Sequence, residues 1–408
     1  MKPGSHEART VFFKMMNHWI RGWMGVVALE MLLVGNCAVV AAEMAPEVWT
    51  RSVVNTGDTR RLERVIAKAE RGEKIVVGVI GGSVTQGAKA STREKNYGSV
   101  MASWWRTQFP KSTVELVNAG IGATGSNYGA LRADRDLLSK KPDFIVVEYA
   151  VNDPDTEASA ESYEGLLRQI LSQPQHPAVV LLFMMRLDGG NSQEWLSKVG
   201  KHYNLPMVSF RDALWPEIQA GRLKWEEIEA DQVHPNDRGH ALAAECVTRF
   251  VQQVRPKASM TSKIESTLPK PMISDRFARV TLREAQELQP VKSEGWALDA
   301  ATKSWKSTVP GSVIEFEVEG RLVIVMDYRI RGPMGRAKVQ IDGGPAQTRE
   351  AWFDQTWGGY RVSSEIARDL APGKHRVRYE LLAEKHAEST GTEFRILGIA
   401  TADAAATK

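Results

Sequence analysis

The sequence predicts an α/β protein built on a parallel sheet, followed by a smaller all-β sandwich or jelly roll. Three observations predict it. Between about residues 73 and 254, short unbroken apolar runs alternate with segments of helical period. Near residue 255 that alternation gives way to a Pro- and Ser-rich stretch, and beyond it the texture becomes alternating and β-rich. The length, 408 residues, suits about two domains, and 43% hydrophobic with 25% charged residues supplies apolar mass for real cores. The same composition excludes a disordered chain, a collagen-like chain and a multi-span membrane protein. A net charge of +4, from 53 basic and 49 acidic residues, is too balanced to argue for nucleic acid as a partner.

The first segment reads as an export signal. Lys2, Arg9, Lys14 and Arg21 form a basic start, a mostly apolar stretch follows over residues 22–42, and Ala38, Ala41 and Ala42 end it. That order predicts a signal peptide over residues 1–42, cleaved after Ala42, and an exported protein, periplasmic or extracellular. A retained N-terminal anchor is the alternative, although Glu30 inside the stretch makes a stable span costly. A lipoprotein through Cys37 is weaker, since Asn36 is a poor residue to precede a lipidated Cys. Cleavage leaves Cys246 alone, which excludes an internal disulfide and reads as a small core residue.

Residues 43–255 carry the α/β pattern. Strands are expected at 75–80, 144–151, 178–185 and 206–210, with a weaker fifth at 114–117. They lack strict alternation, as strands covered on both faces do. Tyr97, Met101, Trp104, Trp105 and Phe109 recur at helical spacing until Pro110 ends the run. A second amphipathic helix carries Ala243, Val247, Phe250 and Val254 after a start signal at Asn236 and Asp237. Parallel strands joined by right-handed crossovers place a site at their carboxyl ends. Residues 256–275 read as a linker. Residues 276–402 read as the β-sandwich, with strands at 312–318, 321–328, 337–341, 374–382 and 393–400 separated by Gly and Pro turn signals.

Four segments carry chemistry, and their order is part of the signal. GGSVTQG (81–87) follows the first strand, where glycines let the backbone turn sharply and leave Ser83 exposed. Thr85 rules out a G-x-S-x-G elbow, and a phosphate loop would need a Gly-Lys-Ser/Thr ending that is absent. NAGIGATGS (118–126) lets backbone N–H groups approach a ligand oxygen, although alone it reads as a glycine-rich turn. Asn152, in VND at the end of a strong strand, offers a neutral donor for an oxyanion, or else belongs to a common Asn-Asp-Pro turn. In DQVHPND (231–237), His234 can take a proton from Ser83 while Asp231 fixes its tautomer. Standing alone, that segment is a surface loop with a bystander His.

Together, in that order and context, these blocks resemble the SGNH hydrolases, the GDSL-like esterases, over about residues 73–254. The resemblance implies a flavodoxin-like three-layer sheet. It assigns Ser83 as nucleophile, His234 as general base and Asp231 as its orienting partner. The oxyanion would be held by the N–H of Ser83, the N–H of Gly122 and the Asn152 side chain. Two departures stand out. Gly82-Ser83-Val84 replaces the common Gly-Asp-Ser, and a shifted register would make Ala123 the second-block donor in place of Gly122. The implied reaction is ester hydrolysis through an acyl-enzyme, with no cofactor. No metal is called for: His176, His202, His240, His375 and His386 show no ligand spacing.

Export, the lack of a long hydrophobic lid and the appended β-domain favour an acetylated polysaccharide or oligosaccharide as substrate. A lipase, thioesterase or arylesterase, and a non-catalytic glycan-binding envelope protein, are the alternatives. Trp296, Trp305, Trp352 and Trp357 offer flat faces for sugar rings, yet large aromatics usually pack inward. Trp357 and Tyr360, in a loop with Phe353, are the first candidates for substrate contact.

Overall fold

The computed structural model describes residues 44–265 and 267–403. The expected export segment, residues 1–42 with Cys37, lies outside the described residues.

The first sheet holds β1 (Val53–Asn55), β2 (Ile75–Gly81), β3 (Val114–Gly120), β4 (Phe144–Glu148), β5 (Ala178–Phe183) and β6 (Met207–Ser209). Their order is β1-β6-β5-β4-β2-β3. Strands β2 to β6 run parallel in the flavodoxin-like order, and β1 adds an antiparallel edge on β6. The sequence reading contains no β1, because three half-buried residues make no apolar run. The strand expected at 144–151 ends at Glu148. There the Tyr149 carbonyl accepts from the N–H of both Asn152 and Asp153 (3.0 Å each), turning the chain before the VND motif. Asn152 therefore sits in a turn beyond the strand.

Helices cover both faces. They are α1 (Pro46–Ser52), α2 (Arg60–Glu70), α3 (Ser83–Gln86), α4 (Tyr97–Gln108), α5 (Ser126–Asp136), α6 (Glu157–Leu171), α7 (Gln193–His202), α8 (Phe210–Gln219) and α9 (Asp237–Val254). Strand residues alternate between two cores. Ile75, Val77 and Val79 meet α2, α4, α8 and α9, whereas Ile80, Ile145 and Val147 meet α5, α6 and α7. Both faces are buried, which is why these strands read as continuous apolar runs. Cys246 is fully buried on α9, as its place in the helical pattern suggested.

The C-terminal part is a two-sheet antiparallel sandwich. Its strands are β7 (Arg279–Glu284), β8 (Pro290–Glu294), β9 (Ala297–Asp299), β10 (Ser304–Ser307), β11 (Val313–Glu319), β12 (Leu322–Arg329), β13 (Arg336–Ile341), β14 (Gln347–Glu350), β15 (Tyr360–Ala367), β16 (Lys374–Leu381) and β17 (Phe394–Asp403). One sheet runs β15-β12-β17-β10-β9, with β7 also on β17; the other runs β14-β13-β16-β11-β8. The five expected strands are present as β11, β12, β13, β16 and β17. The six others are short or polar, such as PVKSE and QTRE, and β7 (RVTLRE) carries only a brief apolar alternation.

β12 joins the two halves of the molecule. Val323 and Val325 face the sandwich core, while Leu322, Ile324 and Met326 face the other way. With Ala400 and Ala402 of β17, that second set packs into the same core as α5 and α6. The described residues of 258–275 form neither strand nor α-helix, yet they are tied down. The buried Glu164 of α6 accepts from the backbone N–H groups of Met272 (2.5 Å), Ile273 (2.8 Å) and Ser274 (3.1 Å). Around this seam, Asn127 Nδ2 donates to Ser363 Oγ at 2.9 Å and Arg135 pairs with Glu284 at 2.6 Å.

Candidate active site

Ser83 follows β2 by two residues and opens the single turn α3, whose first bond runs from Gln86 N–H to the Gly82 carbonyl (2.9 Å). β2 lies between β3 and β4, where chains leaving neighbouring strands diverge and open a crevice. The GIGATG loop leaves β3 and the Asn152 turn leaves β4, so three of the four sequence blocks meet around this point. Glycine at 82 is a packing requirement: a methyl group there would lie 2.1 Å from Asn152 Oδ1. That oxygen is buried with no hydrogen-bond donor, while Asn152 itself lines the cleft. The amide therefore presents its Nδ2 to the space beside Ser83. Gly122 is close by, since a methyl group on it would lie 3.8 Å from Ser83 Cβ. Ala123, the alternative donor, also lines the cleft and takes a left-handed backbone, φ 55°. Thr85, the departure from a hydrolase elbow, is buried with its Oγ1 2.8 Å from Tyr97 Oη.

The fourth block arrives on a folded loop ahead of α9. Ala230 N–H donates to the His234 carbonyl (2.8 Å), and Trp225 Nε1 donates to the Asp231 carbonyl (2.8 Å). Asn236 caps α9 by accepting from the N–H groups of Arg238 (3.0 Å) and Gly239 (3.1 Å). His234 Nε2 then lies 2.9 Å from Ser83 Oγ. Its Nδ1 lies 2.9 Å from Asp231 Oδ2. Asp231 Oδ1 also accepts from the backbone N–H groups of Val233 (3.0 Å) and His234 (2.9 Å). Partial burial would raise the Asp231 carboxyl, but the His234 ring and these backbone donors outweigh it and hold it below the usual carboxylate range. An ionised Asp231 keeps the Nδ1 proton in place and leaves the Nε2 lone pair aimed at the serine.

Around this core lie three buried carboxyls that sequence reading did not identify. Burial pushes Glu148 up to about 8 and Asp153 up to about 7. Asp153 accepts from Ser126 N–H (2.8 Å), tying the Asn152 turn to the start of α5. Glu229, two residues before Asp231, has neither carboxylate oxygen hydrogen-bonded and is pushed up to about 9, by burial first and by the Asp231 charge second.

The cleft encloses about 1310 Å³ and draws its walls from both halves of the molecule. Ser83, Gly122, Asn152, Asp231 and His234 line one side; Tyr328, Trp357, Tyr360 and Arg361 of the β-sandwich line the other. Trp357 is 59% exposed, and across the cleft the Leu187 side chain is 48% exposed. Phe353, Trp357 and Tyr360 pack edge to face or tilted, with centroids 4.8–5.7 Å apart. Of the other tryptophans considered as sugar platforms, Trp296 and Trp352 are buried in the sandwich core and Trp305 packs against it. Lys89, Arg186, Tyr328 and Arg361 escaped the sequence reading. For Arg186 a signal existed, because the Arg-Leu-Asp-Gly-Gly run leaves β5 at the same sheet edge as the other blocks. None existed for Tyr328 and Arg361, whose place depends on how the sandwich docks.

The model of the GDSL-like Lipase/Acylhydrolase family matches residues 79–242. A two-domain esterase active on acetylated mannans is similar over 88% of this chain and 99% of its own, with 32% identity and a TM-score of 0.81. The same esterase co-crystallised with mannopentaose gives 32% identity and a TM-score of 0.80. An acetylxylan esterase of Geobacillus stearothermophilus is 21% identical over 213 residues, 45% of this chain and 96% of its own length. Thioesterase 1/protease 1/lysophospholipase L1 of Escherichia coli (strain K12) is 25% identical over 150 residues, 35% of this chain and 69% of its own length.

Proposed function

The chain belongs to the GDSL-like, or SGNH, hydrolase family, and from that premise we propose that it removes O-acetyl groups from a polysaccharide or oligosaccharide through an acyl-enzyme on Ser83. The observation that carries this reading is the Ser83–His234–Asp231 chain of hydrogen bonds at the floor of a cleft whose opposite wall is aromatic. In the first step Ser83 Oγ attacks the acetyl carbonyl while His234 Nε2 takes its proton, and Asp231 stabilises the imidazolium. The carbonyl oxygen, now negative, is met by the N–H groups of Ser83 and Gly122 and by Asn152 Nδ2. His234 returns the proton to the departing sugar oxygen. A water activated by the same imidazole then releases acetate from Ser83.

The substrate class is supported by the shape of the cleft. The exposed Trp357 indole, with Tyr360 beside it, gives an aromatic face for a pyranose ring in a cleft of about 1310 Å³. The relative active on acetylated mannans adds to the case. Action outside the cytoplasm, in the periplasm or beyond, is part of the reading and rests on the order of basic, apolar and small residues in 1–42.

The test is acetate release by the purified protein from a panel of acetylated polysaccharides, alongside a short-chain aryl acetate and a long-chain lipid ester, with Ser83→Ala as control. Release from a polysaccharide, abolished in Ser83→Ala, is the expected result. Turnover of the aryl or lipid ester alone would remove the carbohydrate assignment and keep the esterase.

A further inference from the structure

Five charged side chains line the cleft, and they are not equally committed. Asp231 is bonded to His234 and to two backbone N–H groups. Asp188 accepts from Gly190 N–H at 2.8 Å and lies 3.8 Å from Arg186 Nε, so Arg186 has a counter-charge. Lys89 reaches only within 4.0 Å of Asp231 Oδ2, from a backbone held in the left-handed region at φ 66°. Arg361 is exposed on the cleft wall and has no ion-pair partner among the described residues. It stands directly opposite Tyr328 in the β12–β15 ladder, so both project from the same face. Trp357 and Tyr360 line the same cleft wall.

A guanidinium is a rigid planar fork that pairs with a carboxylate through two parallel hydrogen bonds, and an unpaired one beside a ring-stacking surface can read a carboxylate on that ring or its neighbour. Resting on the esterase reading above, we infer that the acetylated glycan is acidic: Arg361 binds a carboxylate carried by a sugar next to the one being deacetylated, with Lys89 adding positive potential from the opposite wall. A uronate is the sugar class that meets this requirement.

The matched probes are acetylated β-1,4-mannuronan and acetylated β-1,4-mannan at equal acetyl content, which share ring configuration and differ in the C6 carboxylate. The readout is the ratio of kcat/KM on the two polymers for the full chain and for Arg361→Gln, at low and high salt. The wild type is expected to favour mannuronan by about tenfold at low salt, the worth of one charge-assisted pair. Arg361→Gln and high salt should both bring the ratio towards one. Equal or faster turnover of mannan by the wild type, or an unchanged ratio in Arg361→Gln, overturns the inference and leaves the carbohydrate reading standing. Hydrolysis of aryl acetate with no release from either polymer overturns both.

Discussion

Asn152 shows how much one side chain is asked to do. Its Oδ1 is buried against Gly82 without a donor, and Nδ2 is its useful end. Asn152→Ala should lower kcat on an aryl acetate by about 10²–10³ while KM changes little, because the donor acts on charge that appears in the transition state. Steady-state kinetics on the purified variant would check this, and a loss mainly in KM would argue against an oxyanion role. Glu229 makes a different prediction. Its folded carboxyl titrates near 9, far above an unfolded Glu at about 4.3, so folding holds a proton that unfolding releases. Stability from this group is therefore full below about pH 4 and lost as pH rises through the window up to about 9. Glu229→Gln, which cannot ionise, should melt roughly 2–4 °C above the wild type at pH 8 and close to it at pH 4. Scanning calorimetry at the two pH values decides the matter. That Ser83, Asp231 and His234 would come together could be read from the sequence, because each follows a strand or precedes a helix with a local signal. Glu229 could not, since a glutamate looks alike in sequence whether solvated or buried.

At the scale of elements, the parallel strands were readable from their apolar runs and the two main helices from their start and stop residues. Strand ends were less so. The 144–151 run is apolar on both sides of Glu148, yet the Tyr149 carbonyl captures two N–H groups and β4 ends at Glu148. The stretch at 256–275 shows the same gap between composition and packing. Three prolines and several serines describe a connection, but nothing in them says that the Glu164 carboxylate, on a helix a hundred residues earlier, gathers three consecutive N–H groups and the Tyr203 hydroxyl (2.6 Å). Glu164→Ala would leave these donors without an acceptor in a partly buried seam. A loss of about 3 kcal/mol or more in urea unfolding is expected, since each unmet buried group costs roughly 1–3 kcal/mol. A cost below about 1 kcal/mol would mean that water replaces the carboxylate freely.

Taken as one molecule, the α/β half and the sandwich share a core through Leu322, Ile324, Met326, Ala400 and Ala402. They should therefore unfold together. A single urea transition, coincident by tryptophan fluorescence and far-UV circular dichroism, is the expected result, and two separated transitions would contradict it. The texture of residues 276–402 announced a sandwich but not its placement, because docking depends on which face of β12 is apolar, and β12 is apolar on both.

The position of β17 gives the shared core a consequence in time. β17 is the last of the described strands in chain order, yet it lies between β12 and β10 and also carries β7. Until residues 394–403 leave the ribosome, the sheet that carries Tyr328, Tyr360 and Arg361 is split down its middle. Ser83, Asp231 and His234 all precede residue 235, but the wall opposite them is complete only once residues 394–403 have been added. The cleft therefore gains its second wall only after every residue of its first has been made.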